Sequence, residues 1–442
     1  MTHSVQQKLG EINSYLLAAL IFSLPISTSA SSVLAILIVL LWVSEGNFSR
    51  KFKELRANTL VFTILAYTSL FALGLLWSDD LQWGVTQTVK QWKLLLFLPL
   101  LAVVRRDHYK LYLGAFLAAM TLSAVLSFLI WQEIIHFRGI PSQYPIPFNS
   151  HISYNPLLAL ALYFLFHKLL FSQPTAKQLA ILVPAGLVMT GSMFITTGRS
   201  GQAAFFVLLF LLTLQYFRKN ITRGLAVALI ILPALLATAY HTGPGFKMRL
   251  DESVNDMKEF RSKSQTSTSL RFVFAINSLH MAADSPWFGV GTGDFPTEYK
   301  KINESKSPDF APTDDPHNHY LLVLAQFGIF GLLLFLAIFA LQFRRAWTGK
   351  NDLRDFRLAL PCFYLTIMFG GTYLLGHELS ICFAITSAVF YGEDYEPDRI
   401  NGIAGGGHRL QTIDGGGTGT VMSTKTSPLH RTAGGPAGSA AG

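Results

Sequence analysis

Apolar runs of near-membrane length, following one another with short basic connections between them, constrain this chain more than any other feature. A helix crossing a bilayer needs about 20 mostly apolar residues, because lipid offers no partner to the backbone amides. Candidate spans fall at 13–28, 31–45, 58–76, 93–104, 111–135, 155–171, 178–196, 201–217, 224–240, 318–341, 358–375 and 377–391. Composition agrees, with 51% hydrophobic and 14% charged residues, against roughly 25% charged in soluble chains. The expected fold class is all-α: a polytopic membrane protein of about 12 transmembrane helices. The segment 78–92, SDDLQWGVTQTVKQW, sets Trp and polar residues at helical spacing and reads as an interfacial helix lying flat.

The net charge of +9 would suggest nucleic acid in a soluble chain. Here Lys and Arg cluster between the apolar runs, which makes them topology signals. With a cytoplasmic N-terminus, the inner connections 50–56, 105–110, 168–177, 218–223 and 344–357 hold seventeen of them. The short outer connections hold four: Lys90, Lys93, Arg138 and Arg199. That asymmetry puts both termini inside and residues 241–317 outside. The first apolar run is followed at once by a second, so no cleavable signal peptide is expected. Cys362 and Cys382, the only two cysteines, lie in apolar runs and read as packing residues without a disulfide framework.

The organisation expected is helices 1–9 over 1–240, a large outer loop over 241–317, helices 10–12 over 318–395, and a disordered cytoplasmic tail over 396–442. The outer loop is too long to be a connector. Its helix-like stretches 247–260 and 269–284 and the turn-rich PWFGVGTGDFP at 286–296 predict a small, partly helical cap. The tail, rich in Gly, Ser, Thr and Ala, cannot bury enough apolar area to fold.

Charges at membrane depth are costly and persist where they have work to do. Arg199 sits in TTGRSGQ between two apolar runs. It reads either as a snorkelling side chain or as a phosphate clamp: Gly198, Ser200 and Gly201 allow a tight turn, and the helix starting there favours an anion. Gln202 adjoins it. Arg271 lies on an apolar predicted helix and either pairs with Asp284 or Glu259 or forms a second clamp. In DDPHNHY, Asp315, His317 and His319 alternate, which suits metal ligands on an extended face, loop-bonded structural histidines, or a general base oriented by Asp314 or Asp315. His377 and Glu378 are weaker candidates for the same cavity. Lys247, Arg249, Arg261 and Lys263 give the loop a basic side, facing solvent or anionic headgroups. GVGTG at 289–293 follows no strand and lacks the Lys-Ser/Thr pair of a nucleotide loop.

His317-Asn318, nine residues, Gly328, two residues, Gly331, three residues and Phe335 resembles the signature of O-antigen ligases of the WaaL type. The run from Arg271 to Phe295 and the TGRSG turn are similar to segments of the wider ligase and polymerase superfamily. The resemblance implies a glycosyltransferase in the inner membrane of a Gram-negative cell, with its active site on the periplasmic face. It would move O-antigen from undecaprenyl pyrophosphate to lipid A-core in lipopolysaccharide biosynthesis. It also implies that Arg199 and Arg271 hold the donor pyrophosphate and that the signature histidine, His317 or its rival His319, acts at the acceptor. Asp315, Asn318, Gln202 and Arg249 are expected in support. No cofactor, metal or nucleic-acid partner is expected. The related activities are O-antigen polymerase and protein O-oligosaccharyltransferase; a transporter of lipid-linked glycans is the alternative in another class.

Overall fold

The computed structural model describes residues 3–258, 266–349 and 353–392; the tail expected over 396–442 lies outside them. Every regular element among these residues is helical, the arrangement that satisfies backbone amides without water. Helices α1 (His3–Ser23) and α2 (Thr28–Ser44) pack together, and α3 (Phe48–Ala57) is short and polar. Helix α4 (Thr59–Leu73) continues through a 3-10 turn to Trp77. Then come α5 (Leu81–Val89), α6 (Trp92–Leu95), α7 (Phe97–Val103) and α8 (Tyr109–Trp131). The next group is α9 (His151–Phe171), α10 (Ala176–Ile195), α11 (Arg199–Tyr216) and α12 (Ile221–Thr242). The outer loop supplies α13 (Pro244–Lys258), α14 (Ser267–Asp284) and α15 (Phe295–Lys306), and the chain ends in α16 (His319–Thr348), α17 (Arg354–Ile367) and α18 (His377–Tyr391).

Six stretches are each long and apolar enough to cross a membrane: 59–77, 106–131, 151–171, 176–195, 221–241 and 319–348. The bent pair 28–44 and 48–57 would make a seventh. The chain is a multi-pass membrane protein, and among the described residues helix length and apolarity carry six or seven crossings, fewer than the twelve expected. Breaks and polar residues shorten the other expected spans. The 93–104 run is divided between α6 and α7, α11 opens on Arg199, and α17 and α18 have 14 and 15 residues.

Specific contacts gather the basic connections at one end of the bundle. Arg345 donates to the Tyr391 carbonyl (2.9 Å) and to Thr59 Oγ1 (3.2 Å). Asn58, which caps α4, donates to the same carbonyl (3.1 Å). Arg357 Nε donates to the Phe390 carbonyl (2.5 Å), and Asp355 meets His167 (3.3 Å) and, through its carbonyl, Gln215 (3.1 Å). The bonds to Phe390 and Tyr391 satisfy carbonyls at the end of α18 that have no intrahelical donor.

At the other end, α16 is broken. Gly328 has φ +63°, ψ −162°, a left-handed conformation that suits glycine, and a Cβ there would lie 2.3 Å from the Trp287 carbonyl. The segment 286–294 lies along this break: Val290 and Gly291 N–H donate to the carbonyls of Ala325 (2.9 Å) and Gln326 (3.0 Å), and Ile329 N–H donates to Pro286 O (2.8 Å). Thr292 Oγ1 reaches Phe71 O on α4 (2.8 Å). Farther along α16, Phe335 is fully buried against Tyr67, His319 and Phe339. Gly328, Gly331 and Phe335 of the signature thus build the break and its packing.

The expected helical stretches of the outer loop appear as α13 and α14. Helix α15 was not expected. Its local signals are Asp294 before it, Pro296 in its first turn and Glu298 in that same turn, all features of a helix start. The cap has a small core of Phe274, Met281, Phe295 and Tyr299 closed by Leu322 and Ala325 of α16. Asn277 bonds Tyr299 and Asn303, both at 3.2 Å.

Candidate active site

A cavity of about 890 Å³ opens at the end of the bundle away from the basic connections. Its wall includes Arg199, Gln202, Arg271, Asp314, Asp315 and His317, residues separated by more than a hundred positions in the chain.

The arginine turn is held by α9. Gly198 has φ −164°, extended backbone open to any residue, and Gly201 is helical. A Cβ at Gly198 would lie 2.5 Å from the Asn155 side chain, and one at Gly201 2.3 Å from the Asn155 carbonyl carbon. These two glycines therefore serve close approach to α9, not the tight turn expected from sequence. Gln202 Nε2 donates to the Met193 (3.1 Å) and Thr196 (3.3 Å) carbonyls, capping α10 and fixing where α11 begins. Arg199 stands in the first turn of α11, where free N–H groups and the helix dipole favour an anion. Its Nη1 donates to Thr268 Oγ1 (2.9 Å), and Glu252 lies 3.7 Å from Nη2. Thr268 and Arg271 are three residues apart on α14, so they share a helix face. The Thr268 bond therefore brings Arg271 to the cavity beside Arg199. Arg271 pairs with no carboxylate among the described residues, Asp284 included; Glu259 and the Arg249 side chain lie outside them.

The histidine turn separates its two imidazoles. His317 is exposed, lines the cavity, has φ +52°, and its ring lies 5.9 Å from Phe274. Asp315 accepts the His317 backbone N–H (2.8 Å) and the Thr372 hydroxyl (2.6 Å). It therefore fixes the backbone of His317, where sequence suggested it would orient the ring. Asn318 caps α16 by accepting from Leu321 N (3.1 Å). His319 is fully buried, with Nε2 3.0 Å from Tyr67 Oη, and does not line the cavity. Asp315, His317 and His319 thus do not share one face, and among the described residues no three His, Cys, Asp or Glu converge as a metal set.

Other lining residues were not read from sequence as part of a site. Helix α5 contributes Trp83, Gln87 and Lys90. Asp294 places that helix: its buried carboxylate accepts from Ser78 Oγ (3.0 Å), Asp79 N (2.9 Å) and Asp80 N (2.8 Å). The loop between α17 and α18 contributes Gly370 to Tyr373. Burial raises the Tyr373 phenol above its ordinary range, although Ser200 and Arg271 pull it down. His377 and Glu378 stand behind the wall: His377 Nε2 meets Ser31 Oγ (2.8 Å), and Glu378 accepts from Ser153 (2.9 Å), which does line the cavity.

Residues 184–336 match the family model described as O-antigen ligase. Over that stretch the chain is similar to the O-antigen ligase family. The matched stretch runs from within α10 to just beyond Phe335 and contains Arg199, Arg271 and His317; α5 and the α17–α18 loop complete the cavity from outside it. No curated protein matches the chain.

Proposed function

We propose that this protein is a glycosyltransferase that moves O-antigen polysaccharide from undecaprenyl pyrophosphate to a sugar hydroxyl of lipid A-core. The observation that carries the reading is the convergence of Arg199, Arg271 and His317 on one cavity wall. The diphosphate sits against the two guanidiniums and the first turn of α11. As the acceptor oxygen bonds to the anomeric carbon, the carbon–oxygen bond to phosphate breaks and its electron pair leaves with the diphosphate. His317 takes the acceptor proton. Direct displacement inverts the anomeric centre. Charge grows on the leaving group during the step, so the arginines stabilise the transition state more than the ground state. They also perform a divalent cation's electrostatic work, which makes the reaction metal-independent.

His317 is the base in this reading because it faces the cavity while His319 faces Tyr67. Asp315 and Asn318 hold the histidine turn, Gln202 the arginine turn, and Arg249 lies on the cap helix that also carries Glu252. The cavity opens at the periplasmic face of the inner membrane, with both termini and the basic connections in the cytoplasm. The position of the basic clusters at the opposite end of the bundle supports that orientation.

The deciding experiment offers purified protein a carrier-linked glycan with either lipid A-core or a second carrier-linked glycan. Sugar on lipid A-core is the expected result. Sugar on the second carrier would make the protein a polymerase, and no transfer to either would end the reading. Transfer should survive excess chelator; loss restored by a divalent ion would overturn the metal-independent mechanism.

A further inference from the structure

The donor arginine and the acceptor histidine stand on turns far apart in sequence, and one loop touches both. Residues 368–376 join α17 to α18. The carbonyls of this loop hold the histidine turn: His319 N–H donates to Met368 O (2.9 Å) and Asn318 Nδ2 to Phe369 O (3.4 Å). Thr372 Oγ1 donates to one oxygen of Asp315 (2.6 Å), and the other oxygen accepts the His317 N–H (2.8 Å). The same loop meets the arginine turn at Ser200, the neighbour of Arg199. Gly370 lies so close to Ser200 that a Cβ would stand 2.0 Å from its Oγ.

From this geometry we infer that Thr372 and Gly370 are positioning residues that set the spacing between the two halves of the site. Thr372 holds His317 through Asp315, and Gly370 seats the Arg199 turn through its close approach to Ser200. The inference rests on reading the cavity as a glycosyl-transfer site. Such a site needs the acceptor oxygen about 3–3.5 Å from the anomeric carbon, and a displacement of about 1 Å costs roughly a hundredfold in rate. Donor and acceptor are held by different turns, so their separation depends on whatever joins those turns.

The test uses the purified full chain with carrier-linked glycan and acceptor, and measures kcat, donor KM and binding of glycan-free undecaprenyl pyrophosphate. Thr372→Val should lower kcat by about 10- to 100-fold while leaving donor KM and carrier binding unchanged. Thr372→Ser restores the hydroxyl and should recover most of the loss. Gly370→Ala, which sets a methyl against Ser200, should instead weaken carrier binding and raise donor KM. Thr372→Val combined with Asp315→Asn should be no worse than the worse single variant, because both break one chain of bonds, whereas Thr372→Val and Gly370→Ala should multiply.

A Thr372→Val protein that turns over like wild type overturns the inference. So does equal loss of kcat and carrier binding that Thr372→Ser fails to rescue, since that marks a folding defect. Wild-type protein that neither binds the carrier nor transfers sugar defeats the reading of the cavity itself, a result distinguishable from the other two.

Discussion

At the basic end of the bundle, cations are spent on the protein itself. Arg357, 2% exposed, donates to the Phe390 carbonyl, Arg345 donates to the Tyr391 carbonyl, and Lys51 pairs with Glu45 at 3.0 Å. At the cavity end, Arg271 and Lys90 meet no carboxylate among the described residues, and Arg199 bonds Thr268 at 2.9 Å with Glu252 3.7 Å away. Both ends had to place charge beside lipid, which is costly without compensation. The first end compensates with helix-terminal carbonyls, while the second leaves positive charge facing a chamber. On the proposed function, the contrast separates cations that hold the fold from cations held ready for an anion.

The strongest way to break that contrast is to remove groups at the cavity end. His317→Ala should lower transfer by about 10²–10⁴-fold, the usual contribution of a general base, with insertion and melting temperature unchanged. Full activity in that variant would remove His317 from the mechanism. Arg271→Ala should lower transfer by about 10²–10³-fold, the scale for losing one donor to developing charge. Since Arg271 has no described ionic partner, its loss should leave stability intact; a lower melting temperature with normal turnover would make it a structural cation. Arg357→Met should do the reverse. It leaves the Phe390 carbonyl unpaired and should cost about 1–3 kcal/mol of stability, read as a lower melting temperature in detergent, with turnover per folded molecule unchanged. A stable but inactive Arg357→Met protein would erase the distinction between the ends.

How much of this was legible in the sequence follows the same division. The helices were, because apolar runs record lipid contact, and so were Arg199, Arg271 and His317, because charge at the outer ends of apolar runs stands out. The contribution of α5 was not: Trp83, Gln87 and Lys90 reach the cavity only because Asp294, more than two hundred residues away, grips the turn before them. The α17–α18 loop was hidden for a similar reason. GGT carries no charge, and its role lies in the Thr372 bond to Asp315 and the approach of Gly370 to Ser200, which no local pattern encodes. Gly198 and Gly201 look like turn glycines in one dimension; their reason, the approach of Asn155, exists only in three. The signature glycines likewise mark a helix break that can be described only once 286–294 is seen lying along it.

The smallest effect is expected at the residue sequence could not separate from the base. His319 Nε2 bonds Tyr67, and its Nδ1 has no hydrogen-bond partner among the described residues, so the ring is buried with half its polar capacity unmet. Replacing His319 alone by Phe would strand the Tyr67 hydroxyl, a loss of about 1–3 kcal/mol. Replacing Tyr67 alone by Phe would strand the imidazole. Replacing both removes donor and acceptor together and leaves three apolar rings, with Phe335 5.0 Å from the position of the former imidazole. Exchanging both members of such a pair for apolar groups of similar shape is nearly neutral, so the double variant should be more stable than either single variant and transfer sugar close to the wild-type rate. Folded double variant that has lost transfer would put the chemistry on His319 and leave His317 as a bystander at the cavity mouth.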